Sequence, residues 1–175
     1  VDVGLAVASK RDVRRYTGEP VPPDVARRIL DAGRLAGSAR NRQPCRFVVV
    51  EGDAVRAVAR AVYAEGNVAA AGLVVAITVT PGGGLVQFDA GRTAQNMMLA
   101  GWAEGIASTP NGVRDLEALS RALGLAPDET PVVVLSFGRP EAGRDPSRRS
   151  AEEWSRRALR LPLDELVRRV GAPVA

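Results

Sequence analysis

Three short stretches of the chain gather side chains able to do chemistry, and none of them contains a histidine. Lys10, Arg11, Arg14 and Arg15 crowd into "KRDVRRY", a density of cations that suits either a solvated surface or a phosphate-bearing ligand. Ser38, Asn41 and Gln43 stand in "SARNRQP", between a helix end and a strand. Their hydroxyl and amide groups match a flat heterocycle bearing carbonyls and ring nitrogens, and equally match cap and loop duties. "ASTPNG" (107–112) reads as a turn set by Pro110, in which Gly112 lets backbone N–H groups of Asn111 and Gly112 approach a ligand. Cys45, the single cysteine, lies just beyond the second stretch.

What is missing narrows the chemistry further. With no histidine in 175 residues, Ser-His-Asp and Cys-His pairs, imidazole bases and histidine metal ligands are excluded. One cysteine excludes an internal disulfide or a cysteine-rich zinc site and fits a reducing compartment; no metal centre is expected. The formal charge is +4, and every basic side chain except Lys10 is arginine, suited to planar, bidentate grip on phosphate or carboxylate. A nucleic-acid partner gains little from this, because Tyr16 is the only aromatic beside the basic cluster. "DLEALSRALGLAPDETP" imitates half of a helix-turn-helix, yet Pro131 and "VVVLSF" leave at most one turn for a recognition helix. "TPGGGL" (80–85) lacks phosphate-loop spacing and reads as a flexible connection.

These groups need a scaffold, and its elements are legible. Strands are expected at 46–52, 73–80 and 131–138, each a nearly continuous β-branched run that calls for cover on both faces. Helices are expected at 23–37, opened by Pro23 and Asp24 and stopped by Gly37, at 53–64, at 87–104 as a buried helix, at 114–123 and over "PLDELVRRV" near the end. The order implies one domain with a layered sheet between helices, and "EAGRDPSRRS" (141–150) lies outside its core. The run "VAAAGLVVAITV" (68–79) is shorter than the roughly 18–20 residues of a membrane span, and no signal-peptide pattern opens the chain. The expectation is a soluble, cytoplasmic protein.

Taken in order, "KRDVRRYTGEPVPPDV", "SARNRQPCRFVVV", "DAGRTAQNMMLAGWAEGI", "STPNG", "LGLAPDETPVVVLSFGRP" and "RLPLDELV" resemble the FMN-dependent nitroreductase family. The resemblance implies an α+β fold with a central mixed β-sheet flanked by helices on both faces. It also implies an intertwined homodimer with FMN at the interface and a tail from about residue 141 packing on the second subunit. Activity would be ping-pong transfer of hydride from NADH or NADPH through flavin N5 to a nitroaromatic, quinone or similar acceptor, with no catalytic side chain. A flavin or nucleotide binder without turnover is the alternative, and a basic nucleic-acid binder a weaker one.

The same resemblance assigns residues. Lys10 and Arg11 face the FMN phosphate or ribityl chain, with Asp12 in the same segment, and Arg14 faces the pyrimidine side of the ring. Ser38, Ala39, Asn41 and Gln43 reach the flavin from the other subunit. The backbone of Asn111 and Gly112 approaches N5 and O4, Asn67 contacts the ring, and Arg160 grips the phosphate. Three residues depart from the pattern. Asp12 replaces a usual serine and repels phosphate unless an arginine intervenes. Ala158 stands where a second late basic residue is usual. Cys45 replaces a common tryptophan, leaving room that packing or a substrate must fill.

Overall fold

The computed structural model describes residues 2–81, 84–143 and 145–171. Gly82 and Gly83 of the expected flexible connection, and Arg144 of the segment 141–150, lie outside the described residues. The chain divides into two compact units, one of Lys10–Asp145 and the other of Val1–Ser9 with Pro146–Ala175. In chain order the helices are α1 (Val3–Ser9), α2 (Pro23–Arg34), α3 (Ala54–Arg60), α4 (Glu65–Ala69), α5 (Val86–Ala103), α6 (Leu116–Leu123), α7 (Ala151–Arg156) and α8 (Leu163–Leu166). The strands are β1 (Cys45–Val50), β2 (Leu73–Val79), β3 (Ala107–Asn111) and β4 (Thr130–Gly138).

The larger unit is an α+β layer structure around one sheet with strand order β1-β2-β4-β3. All three strand pairs are antiparallel, and the parallel bridge Asp12–Ser108 adds a short mixed element at the β3 edge. Side chains alternate across β2 with period two. Val75, Ile77 and Val79 enter a core with Ile29 of α2 and Ala90, Ala94, Met97 and Met98 of α5. Val74 and Ala76 enter a second core with Val58, Ala59, Val68 and Leu119 of α3, α4 and α6. The helices therefore do cover both faces. Burying side chains such as Ile77, Phe137 and Met97, all 0% exposed, is worth about 1.5–3 kcal/mol each.

Two positions without side chains fix how closely layers meet. At Gly33 an added Cβ would fall 2.4 Å from the Met97 methyl, so α2 seats directly on α5. At Gly72, before β2, a Cβ would lie 2.1 Å from the Glu19 carbonyl oxygen, where Val21 N–H bonds Gly72 O at 3.2 Å and Gly72 N–H bonds Phe137 O at 2.9 Å.

Several sequence expectations need correction. "ASTPN" is not a turn but edge strand β3; its outer position tolerates Pro110, which has no N–H to offer a ladder. The helix expected at 53–64 ends at Arg60, just before Val62 bridges Val113, and a second short helix, α4, follows beyond the expected range. The last helix shrinks to the single turn α8, and α1 and α7 were not anticipated.

In the smaller unit α1 packs against α7. Ser150 and Glu153 form a reciprocal capping box at the start of α7, and Trp154 Nε1–H donates to Pro146 O at 2.8 Å. Beyond α7, Leu159, Leu161, Leu163, Leu166, Val167 and Val170 are all exposed. Among the described residues no helix is long and apolar enough to cross a membrane.

The contact at Gly72 gives a direct test. Gly72→Ala should destabilise by about 2–3 kcal/mol, because the obstacle is backbone, and lower Tm by roughly 5–10 °C in a thermal melt. Gly66→Ala inside α4, where a Cβ meets nothing within 4 Å, should hold or slightly raise Tm.

Candidate functional site

The basic segment is pinned to the open side of β3. Val13 N–H bonds Ser108 O at 3.2 Å, and Thr109 Oγ1–H donates to Val13 O at 2.5 Å. Tyr16, 4% exposed, anchors the far end by sharing hydrogen bonds of 3.2 Å with the Ser136 hydroxyl and carbonyl. Burial pushes its phenol above the usual range, opposed by those bonds. Lys10 Nζ sits 2.5 Å from Asp12 Oδ1 and 3.5 Å from Met98 Sδ of α5. An intervening arginine was the expected relief for Asp12; Lys10 supplies it instead. Arg11 turns back to its neighbour's carbonyl, Lys10 O, at 2.7 Å. Arg14 is exposed and has no partner among the described residues.

The polar loop is held differently. Ser38 Oγ accepts Gln43 N–H at 2.8 Å, Asn41 N–H bonds Ser38 O at 3.0 Å, and Gln43 Nε2 reaches Asn41 O at 3.4 Å. Arg40, Asn41 and Gln43 all adopt left-handed backbone, with φ of 53°, 54° and 51°. Such residues cost about 1 kcal/mol or more each and cluster at ligand sites. The loop stays in place because Asp89 of α5, 4% exposed, accepts Ala39 N–H through Oδ2 at 3.1 Å, with Arg92 Nη1 3.6 Å from Oδ1. Asp89 is not among the residues expected from the sequence; an acid in the first turn of a helix expected to be buried is the signal that marks it. The Asn41 side-chain amide has no partner among the described residues.

The remaining expected residues sit elsewhere. Asn111, 2% exposed, is tied into the sheet, its Nδ2 lying 3.1 Å from Thr109 O, 3.0 Å from Val134 O and 3.1 Å from Ser136 Oγ. Its Oδ1 accepts Asn67 Nδ2–H at 3.1 Å, so the Asn67 amide nitrogen points inward. Gly112 lies at the exposed end of β3, its carbonyl accepting Tyr63 N–H at 3.1 Å. Arg160 is exposed in the smaller unit, one residue after Leu159, whose φ is 50°. The Ser108 hydroxyl, buried beside Asp12, has no hydrogen-bond partner among the described residues.

Room does exist at Cys45. A cavity of about 200 Å³ is lined by Gly33, Ser38, Cys45, Phe47, Asp89 and Thr93, among others, directly behind the polar loop. Thr93 Oγ1 is 3.7 Å from the sulfur. Burial pushes the thiol above its ordinary range, with the Asp89 carboxylate adding to the rise while Thr93 and Arg46 oppose it.

The two groups of ligand-competent residues thus lie against different parts of α5, the loop bonded at Asp89 and Lys10 of the basic segment beside Met98. Nine residues separate these anchors, about 13.5 Å along the helix axis. Amides able to read carbonyls and ring nitrogens stand on one part, and cations able to meet a phosphate on the other. That donor set fits a flavin mononucleotide.

The model of the nitroreductase family matches residues 7–80 and 84–139. A protein of Methanothermobacter thermautotrophicus provisionally named NADH dehydrogenase/NAD(P)H nitroreductase is 26% identical over 170 residues, covering 88% of each chain. An NADH dehydrogenase of Thermus thermophilus is 38% identical over 78 residues, 44% of this chain and 38% of that one. In structure, a provisionally named nitroreductase in complex with FMN from Desulfovibrio desulfuricans superposes with a TM-score of 0.82 at 27% identity, covering 99% of both chains.

The raised thiol predicts slow alkylation. Because the neutral form is favoured, iodoacetamide labelling of Cys45 should be sluggish near pH 7 and rise only through a midpoint above the roughly 8.5 of a free cysteine. A midpoint at or below that value, followed by mass spectrometry across pH, would contradict the burial described.

Proposed function

The chain belongs to the nitroreductase family, and from that premise we propose that it binds FMN between two copies of itself. There it would pass electrons from NADH or NADPH to a nitroaromatic, quinone or similar acceptor. The strained loop carries this reading: Arg40, Asn41 and Gln43 hold left-handed backbone in an exposed stretch while the Asn41 side-chain amide has no partner among the described residues. The names of the relatives and the FMN in the Desulfovibrio structure support it.

FMN, when bound, supplies the hydride chemistry at ring N5. The chain supplies position and charge. Asn41 and Gln43 would pair with carbonyls and nitrogens of the heterocycle, and Asp89 keeps them aimed by gripping Ala39 N–H. Arg14, charged at any working pH, would place its guanidinium beside the electron-rich edge of the ring. Lys10 and Arg11 would meet the phosphate end, and Arg160 is the late basic residue that the family likeness sets to grip phosphate. Hydride chemistry supplied by a flavin asks for no histidine, of which the chain has none, and donor and acceptor would take turns at one open face in ping-pong order.

Each protomer offers two separated half-sites, and a two-fold pair completes two whole ones. An open groove of about 530 Å³ beside the loop, lined by exposed Leu35 and Phe88 with Gly91 and Arg92, gives a second copy somewhere to pack. The exposed apolar string from Leu159 to Val170 gives it something to hold.

The purified protein should be yellow or turn yellow with FMN, elute as a dimer, and lose its flavin absorption when NADH or NADPH is added anaerobically. A quinone or nitroaromatic should then restore the band. Colourless protein that ignores added FMN would sink the reading. Asn41→Ala should weaken FMN binding about tenfold and lower Tm by only about 2–4 °C, the cost of alanine in left-handed backbone, since its amide has no partner among the described residues. Asn111→Ala should instead lower stability by about 2–4 kcal/mol, by stripping partners from buried groups. Flavin fluorescence and thermal melts separate the two.

A further inference from the structure

Lys10 is a largely buried cation of the basic segment, and its charge is already answered. Its side chain is 9% exposed and Asp12's is 46%, with the carboxylate oxygen 2.5 Å from the ammonium. Its other neighbour, Met98 Sδ at 3.5 Å, is only a weak acceptor. An ammonium so shielded is costly without a counter-ion. Asp12 provides that counter-ion from the solvent side, and its backbone is fixed by the bridge to Ser108. Any anion approaching Lys10 meets Asp12 first.

We propose that Asp12 is an internal occupant of this cation's anion-binding position, so that a phosphate group can engage Lys10 only by displacing it. Asp12 is then a specificity-determining residue that lowers the preference for a phosphorylated flavin over its neutral analogue. Outward movement is open to a half-exposed carboxylate, whereas Lys10 is confined against α5. The inference rests on the FMN reading above, and it concerns the phosphate end alone.

The test compares FMN with riboflavin, which share the ring and differ in the phosphate. Flavin-stripped protein is titrated with each and followed by fluorescence quenching. Asp12→Asn should tighten FMN about tenfold, a shift of the size expected for removing a close, partly screened like charge, and should change riboflavin less than twofold. It should also lower the Tm of the ligand-free protein, because Lys10 loses its counter-ion, and FMN should raise that Tm by more than it raises the wild type's. Should Asp12→Asn be too unstable to titrate, Lys10→Met and Lys10→Met/Asp12→Asn form a second pair with no unpaired buried ammonium. With no ammonium left for Asp12 to occupy, removing Asp12 from the Lys10→Met background should shift FMN relative to riboflavin by less than about twofold; a severalfold gain for FMN there would show plain repulsion and overturn the occupancy. In Asp12→Asn itself, equal shifts for both flavins, or no shift, would overturn the role given to Asp12 and leave flavin binding intact. Failure of every variant and the wild type to bind either flavin would overturn the FMN reading itself.

Discussion

The seating of α2 on α5, possible because Gly33 leaves the Met97 methyl its place, fixes where everything able to meet a ligand must lie. α5 is held between α2 and the sheet, so it has little freedom to slide or rotate. Asp89 and Met98 project from it as fixed points, one holding a strained loop and the other the floor under a buried ammonium. A ligand bridging such groups meets a preorganised frame, which lowers the ordering cost of binding.

Part of the arginine surplus is answered locally along helix surfaces, as in Arg34–Asp31, Arg56–Asp53, Arg121–Glu117 and Arg156–Glu152. Pairs of this kind contribute a few tenths of a kcal/mol and carry no specificity. Arg28 goes further, joining Asp24 on its own helix to Glu104 just beyond α5 and so stitching the pair of helices from outside. Arg14, without a partner among the described residues, lies in the same short segment as the one lysine, Lys10. Position, rather than abundance, marks the residues suited to an anionic ligand.

Legibility in the sequence followed the strength of the physical signal. β1, β2 and β4 lie within two residues of their expected ends because each is a continuous apolar run with two buried faces. β3 was invisible because "ASTPN" has small and polar residues whose partners, Ser136 and Asn67 among them, lie far off in the chain. The basic segment and the polar loop could be found from residue type alone. Their supports could not. Asp89 acts 50 residues from the loop it holds, and Lys10 answers Asp12 only once β3 has fixed the backbone. The room at Cys45 followed from comparing side-chain size with the family's habit, and the cavity behind the loop agrees with it.

Pro110 has one more effect. The outer side of β3 is met by Val13 at Ser108, is silent at Pro110, and is taken up by Tyr63 and Val62 at Gly112 and Val113. That margin offers no run of free N–H and C=O groups to a foreign strand. The opposite margin, β1, pairs on one side only among the described residues. Growth of this sheet by strand addition is therefore one-sided. Whether in orderly assembly or in aggregation of overcrowded protein, the edge that must be guarded is the one bearing Arg46.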